Sequence, residues 1–200
     1  DLLGFMSDLP QEKEKKKKAV TNFLNLLKEK QCTESDEYAM LIDTIISIDN
    51  TVDAVLAKAD LLKVKKKYKS SIEIYRTALE MADNDTLRGD VKLIILEIQY
   101  NNLNSFKSAY NTAMSISGLN RSKALEVASN CVARLANTCG SSTFDRKCNY
   151  YYAAQLASNA GESSLAAKYR EKCPSSDEIF SNNSPSQVTL SCWGVTVDVK

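Results

Sequence analysis

Apolar residues return every three or four positions along most of this chain, and little interrupts them. Two hundred residues carry only six glycines and three prolines. Such a period marks amphipathic helices, whereas a half-buried strand alternates with period two. With so few breakers there is material for long helices and little for the glycine-rich loops that cradle phosphates. Apolar residues make up 44% and charged residues 26%, a globular balance that excludes wholesale disorder. No apolar run reaches the roughly 18 residues that a membrane-crossing helix needs.

The period resolves into successive helices. Pro10 opens a basic run that passes into Ala19, Val20, Phe23, Leu24 and Leu27, ending near Lys30. Ser35 reads as an N-cap before Tyr38, Leu41, Ile42 and Ile45. Asp49-Asn50-Thr51 breaks that helix, and two more follow, Val52 to Val64 and Tyr68 to Ala82. After Asp83-Asn84-Asp85-Thr86, the apolar run from Leu93 to Ile98 belongs to a well-buried helix, because Leu87, Val91 and Tyr100 extend its helical period. Asn101-Asn102 breaks again. Leu103 to Met114 is helical with Gly118 as its C-cap, and Ala124 to Leu135 is the next helix. Gly140-Ser141-Ser142 forms a loop, Tyr150 to Ala157 is helical, and Leu165 to Lys172 is a last helix stopped by Pro174. From Ser175 the texture turns polar. Val188–Trp193 and Val195–Val199 then alternate with period two around Gly194, a short strand or hairpin. The expected fold class is all-α: an antiparallel helical-hairpin array of about eight or nine helices over residues 1–174. A 175–200 extension carries a short β segment packed on the last helices.

Charge and residue type narrow the function. Twenty-six Lys+Arg against 25 Asp+Glu leave +1, no field to hold nucleic acid, so no nucleic-acid partner is expected. The basic runs Lys15–Lys18 and Lys65–Lys67 are diluted by Glu12 and Glu14 and flanked by Asp60 and Glu73. They read as solvated helix faces, and membrane-surface contact is not expected. There is no histidine, which removes Ser-His-Asp and Cys-His pairs, His-ligated zinc and the usual general base. No Cys-X-X-Cys spacing supports thiol redox chemistry or an all-thiolate zinc site, so neither cofactor nor metal is expected. The six cysteines are Cys32, Cys131, Cys139, Cys148, Cys173 and Cys192. An even number crowded into the second half favours disulfides and an oxidising compartment. Of the fifteen possible connectivities, position favours Cys139–Cys148 clamping a loop and Cys173–Cys192 tying the last strand to the last helix. Cys32 and Cys131 would pair or stay free. The chain starts at Asp1 without a leader pattern, so a removed leader or a trimmed chain is expected. In Tyr150-Tyr151-Tyr152 at least one ring must point away from the core, since consecutive helical residues cannot all face one side.

Between Val52 and Ala82, Ala59, Ser71 and Ala78 are small, and Tyr68 and Tyr75 are aromatic, at the five places where the tetratricopeptide repeat has such residues. This segment resembles that repeat, although Lys66 stands where the family usually has Gly and Asp83 where it has Pro. A weaker copy runs through Leu103, Phe106, Tyr110 and Ala113, and a shortened one through Tyr150, Ala154, Gly161 and Ala166, so the resemblance covers 52–173. The tail is similar to the C-terminal signature of bacterial cell-envelope proteins with such arrays. The residues that carry this are Cys173-Pro174, Asp177-Glu178-Ile179-Phe180 and Cys192-Trp193, with Ser191 in place of their Gly.

The resemblance implies a groove lined by the first helix of each pair. Its places fall on Asp53, Leu56, Asp60 and Lys63 in the best copy, and on Tyr151, Gln155, Ser158 and Asn159 in the last. Mixed polar and aromatic residues there suit an extended peptide or a partner helix. The expected function is a non-enzymatic protein-interaction module of a secreted, periplasmic or cell-surface protein. The alternative is a structural subunit that self-assembles into a surface or extracellular structure, with the terminal β segment adding to a neighbour's sheet edge.

Overall fold

The computed structural model describes residues 2–199, with side chains described from Gly4 onward; the expectation about Asp1 lies outside them. Its α-helices are α1 (Leu2–Ser7), α2 (Lys13–Glu29), α3 (Asp36–Ile48), α4 (Val52–Val64), α5 (Tyr68–Met81), α6 (Asp85–Glu97), α7 (Phe106–Met114), α8 (Arg121–Leu135), α9 (Thr143–Asn159), α10 (Ser163–Arg170) and α11 (Ser176–Ser181). Two strands follow, β1 (Gln187–Leu190) and β2 (Val195–Asp198), forming a two-stranded antiparallel hairpin. The fold is all-α with a short C-terminal hairpin. The nine helices read from periodicity are α2 to α10, and the short α1 and α11 are additional. Among the described residues no helix is long and apolar enough to cross a membrane.

The chain divides into two compact units, one ending at Leu87 and the other beginning at Arg88. In the first, Val20 and Leu24 of α2 pack with Leu41, Ile42 and Ile45 of α3 and Leu61 of α4. Ser35 caps α3 by accepting from the Tyr38 N–H, and Thr51 caps α4 by accepting from that of Ala54. Helices α4 and α5 approach closely because Ala59, Ser71 and Ala78 are small and wholly buried. The Ser71 hydroxyl reaches across to the Ala59 carbonyl at 2.8 Å. The basic runs lie on solvated faces and are partly neutralised: Lys17 pairs with Asp49, Lys15 with Glu12, and Lys65 with Asp36.

In the second unit, α7, α8, α9 and α10 pack each on the next. Fully buried Ala128, Ala153, Ala157 and Ala166 let the backbones come close, and Tyr110, Phe144, Tyr152 and Trp193 fill the remaining volume. The asparagine break after α6 is a π-helical turn, Ile98–Asn102. Gly118 is not the cap of α7. That helix ends at Met114 with Ser115 as its C-cap, and Gly118 opens a 3-10 turn with φ +68°, where a missing Cβ removes the steric cost. The hairpin register sets Leu190 opposite Val195 and Val188 opposite Val197. Leu190 and Val197 turn their side chains into the helical core, and Gly194 closes the turn at φ +65°.

Candidate functional site

Three devices hold the hairpin on the helices of this unit. The first is a disulfide between Cys139 and Cys192. This corrects the expected pairs Cys139–Cys148 and Cys173–Cys192. Cys148 is wholly buried within α9, whereas the turn between β1 and β2 comes down on the loop before it, at Cys139. The tail is therefore tied to the loop between α8 and α9, not to the last helix. The second device is Asn149, only 1% exposed, whose Oδ1 accepts from the Trp193 indole N–H at 2.7 Å. Its Nδ2 donates to the Cys139 carbonyl at 2.7 Å, so both ends of the amide are used. The third is Lys107 of α7, which lies 4.3 Å from the Trp193 ring centroid and donates to the Cys192 carbonyl. Beneath them the Tyr110 and Tyr152 hydroxyls meet at 2.8 Å. Burial, helped by that hydrogen bond, drives the Tyr110 phenol well above its ordinary value. Asn149 escaped the sequence reading; a lone polar residue between Cys148 and Tyr150 was its only signal.

Beside the hairpin lies a cavity of about 460 Å³. Tyr151, Gln155 and Ser158, three of the four groove residues assigned to the last copy, line it together. Their spacing of four and three residues puts them on one face of α9. Asn159, the fourth, is exposed and lies outside the cavity, a further 100° round the helix. Arg170 of α10 donates to the Ser158 hydroxyl at 2.9 Å and supplies a cation. Ala154, Pro174 and Val197 give apolar walls, and Cys173 and Asp198 complete the lining. Of the tyrosine triplet, Tyr152 is buried while Tyr150 and Tyr151 are half-buried.

The wall supplied by β2 is also an edge. Val199 donates to the Ser186 carbonyl at 2.9 Å, which fixes the phase of the ladder. By alternation, Val195 and Val197 turn their backbone groups to β1, and Thr196 and Asp198 turn theirs away. Among the described residues β2 pairs with β1 alone.

The groove residues of the best copy lie in the other unit, and none of them lines this cavity. Asp53 is exposed and Leu56 half-buried on α4. Asp60 is already engaged, accepting from the Tyr75 hydroxyl and pairing with Lys63 at 3.4 Å. A smaller cavity of about 200 Å³ between α8 and α10 is lined by Arg134, Lys168 and Lys172. Two of these cations lie over rings, Arg134 over Phe106 and Lys172 over Tyr150. Lys168 sits in the last turn of α10, where a cation complements the helix dipole. No protein-family model matches the chain, and no curated protein matches it significantly.

Proposed function

We propose that this chain is a non-enzymatic protein-interaction module, a tetratricopeptide-like array, that binds an extended peptide in the α9–α10 cavity. The observation that carries the proposal is the open edge of β2 forming one wall of that cavity. A peptide laid along this edge meets the outward backbone groups of Thr196 and Asp198 as a third strand. Every second side chain of the peptide then enters the cavity, where Tyr151 offers a ring and Arg170 a cation suited to a carboxylate. The close α4–α5 approach through Ala59 and Ser71 supports the repeat reading. The Cys139–Cys192 bridge supports an exported setting, secreted, periplasmic or cell-surface.

The test is selection from a displayed library of random decapeptides. Enriched sequences should share an alternating pattern with an acidic residue. Arg170→Ala should weaken their binding at least tenfold, about 1.4 kcal/mol. Thr196→Pro removes an outward N–H and should weaken binding comparably, whereas Thr196→Val, which loses only the hydroxyl contact to Thr189, should not. No enrichment, or binding indifferent to Arg170→Ala and Thr196→Pro, overturns the proposal.

A second proposal, a structural subunit that binds copies of itself, is favoured by the same open edge and by Phe180, 80% exposed on α11. Light scattering across a hundredfold concentration range separates the two: a constant monomer mass excludes self-assembly.

A further inference from the structure

Four cysteines remain as thiols in the structure: Cys32 exposed, Cys131 and Cys148 buried, and Cys173 half-buried. Two of them, Cys148 and Cys173, are placed alike with respect to one turn. They lie thirteen residues before and twelve residues after Gly161, which turns the chain between α9 and α10 at φ +83°. Helices α9 and α10 pack on each other, and Cys173 lies three residues beyond the end of α10, so the crossings on either flank decide how near it comes to Cys148.

Contacts on both flanks fix that register. Towards the turn, the Tyr150 and Tyr169 rings meet at a tilt with centroids 6.2 Å apart, and the Lys172 ammonium sits 5.5 Å from the Tyr150 ring. Away from the turn, Lys147 pairs with Glu178 at 2.5 Å. Cys148 follows Lys147 and Cys173 follows Lys172, so the two thiols fall between these crossings. The Cys173 position is itself fixed. Its N–H donates to the Arg170 carbonyl at 3.1 Å, and its sulfur lies 3.7 Å from the Tyr169 carbonyl, one turn beyond the ring that meets Tyr150.

We propose that Cys148 and Cys173 form a second disulfide, welding the end of α10 to α9 beside the Cys139–Cys192 bridge. The chemistry needs a disulfide oxidant such as oxidised glutathione. One thiolate of the pair attacks it and releases one glutathione thiol. The other thiolate then displaces the second glutathione from the mixed disulfide. In sum, two cysteine thiols and one glutathione disulfide give one protein disulfide and two glutathione thiols, the two protons of the cysteine thiols passing, directly or through solvent, to the departing glutathione thiolates.

The thiols of the finished fold are poor nucleophiles. Burial raises Cys148 to about 12, with further contributions from Asp145 and from Cys173 itself, and burial raises Cys173 to about 11. Cys173 and Pro174 form part of the cavity wall, so the cross-link also fixes one side of that cavity. The inference does not depend on what the cavity binds.

The experiment refolds the full reduced chain at pH 8 in a reduced and oxidised glutathione buffer, then denatures it without reductant and alkylates it. Two thiols should react, Cys32 and Cys131. Protease digestion should yield a peptide joining Cys148 to Cys173 beside one joining Cys139 to Cys192. Four or more reactive thiols overturn the inference. So does a peptide joining Cys148 to Cys131, which also faces the interior of this unit from α8. Cys173→Ser alters only the half-buried partner, so the fold should survive; in this variant Cys148 should become alkylatable after denaturation. A variant in which Cys148 stays unreactive would equally overturn the pairing.

Discussion

Asn149 is buried, so a replacement has to both donate and accept to satisfy the groups it touches. Its amide satisfies the Trp193 indole, the Cys139 carbonyl and, at 3.0 Å, the Asp145 carbonyl of its own helix. Asn149→Leu keeps the volume but removes the side-chain partner of the indole N–H and of the Cys139 carbonyl at a buried position. An orphaned buried group costs about 1–3 kcal/mol. The variant should therefore lose about 2–4 kcal/mol in urea unfolding, a large fraction of the stability of an ordinary domain. A loss below about 0.5 kcal/mol would show that the indole finds another acceptor. Gly140 illustrates a different constraint. At φ +133°, a Cβ built there would lie 2.6 Å from that of Asp145, so Gly140→Ala must displace the start of α9. Neither constraint was legible in the sequence, because each depends on which distant backbone arrives next to the residue.

At the scale of the element, α9 starts where its first turn is sealed. Ser142 accepts from the Asp145 N–H, and the Asp145 carboxylate accepts from the Ser142 N–H at 3.0 Å and the Ser141 hydroxyl at 2.6 Å. The Ser141 hydrogen bond, with help from Ser142, holds the Asp145 carboxyl below its ordinary value. A group with a lowered folded-state pKa stabilises the fold fully above its unfolded value of roughly 4 and loses that contribution as pH falls through the folded one. Asp145→Ala should therefore lower stability by about 1 kcal/mol at pH 7. Its Tm deficit relative to the parent should shrink as the pH is taken from 7 towards 2; a deficit independent of pH would assign the effect to packing. The sequence reading began this helix at Tyr150 because it followed apolar period alone. The Ser142-to-Asp145 spacing, and the same Ser175-to-Glu178 spacing that opens α11, carried the missing starts. Helix α11 holds too few apolar residues for a period to register. The long helices α2 to α5 were legible because their apolar stripes and breaks agree, with Ser35 and Thr51 capping α3 and α4. Tyr151, Gln155 and Ser158 on the α9 wall were named only through the repeat resemblance, and the walls brought by Pro174 and Val197 were not named at all.

For the whole molecule, the question is how far the tail stabilises what it touches. Leu190, Trp193 and Val197 belong to the same core as Ala128, Tyr152 and Ala157, so the hairpin is part of the unit that begins at Arg88. Its disulfide closes a span of 53 residues from Cys139 to Cys192. On the chain-entropy model a loop of that size restricts the unfolded chain by about 4 kcal/mol. A pairing of this kind could not be read from spacing, since it depends on α8, α9 and the hairpin first packing into one body. The cost of losing it should be local. A Cys139→Ala/Cys192→Ala variant should show amide exchange at least tenfold faster from residue 187 to residue 198 and around the α8–α9 loop. The α3, α4 and α5 amides, whose core is Leu41, Ile42 and Leu61, should exchange as in the parent. Equal acceleration in α3 to α5 would mean that the chain opens as one cooperative body despite its two cores. Unchanged exchange in the hairpin would mean that Trp193, seated on Asn149 and under Lys107, holds the tail without the covalent bond.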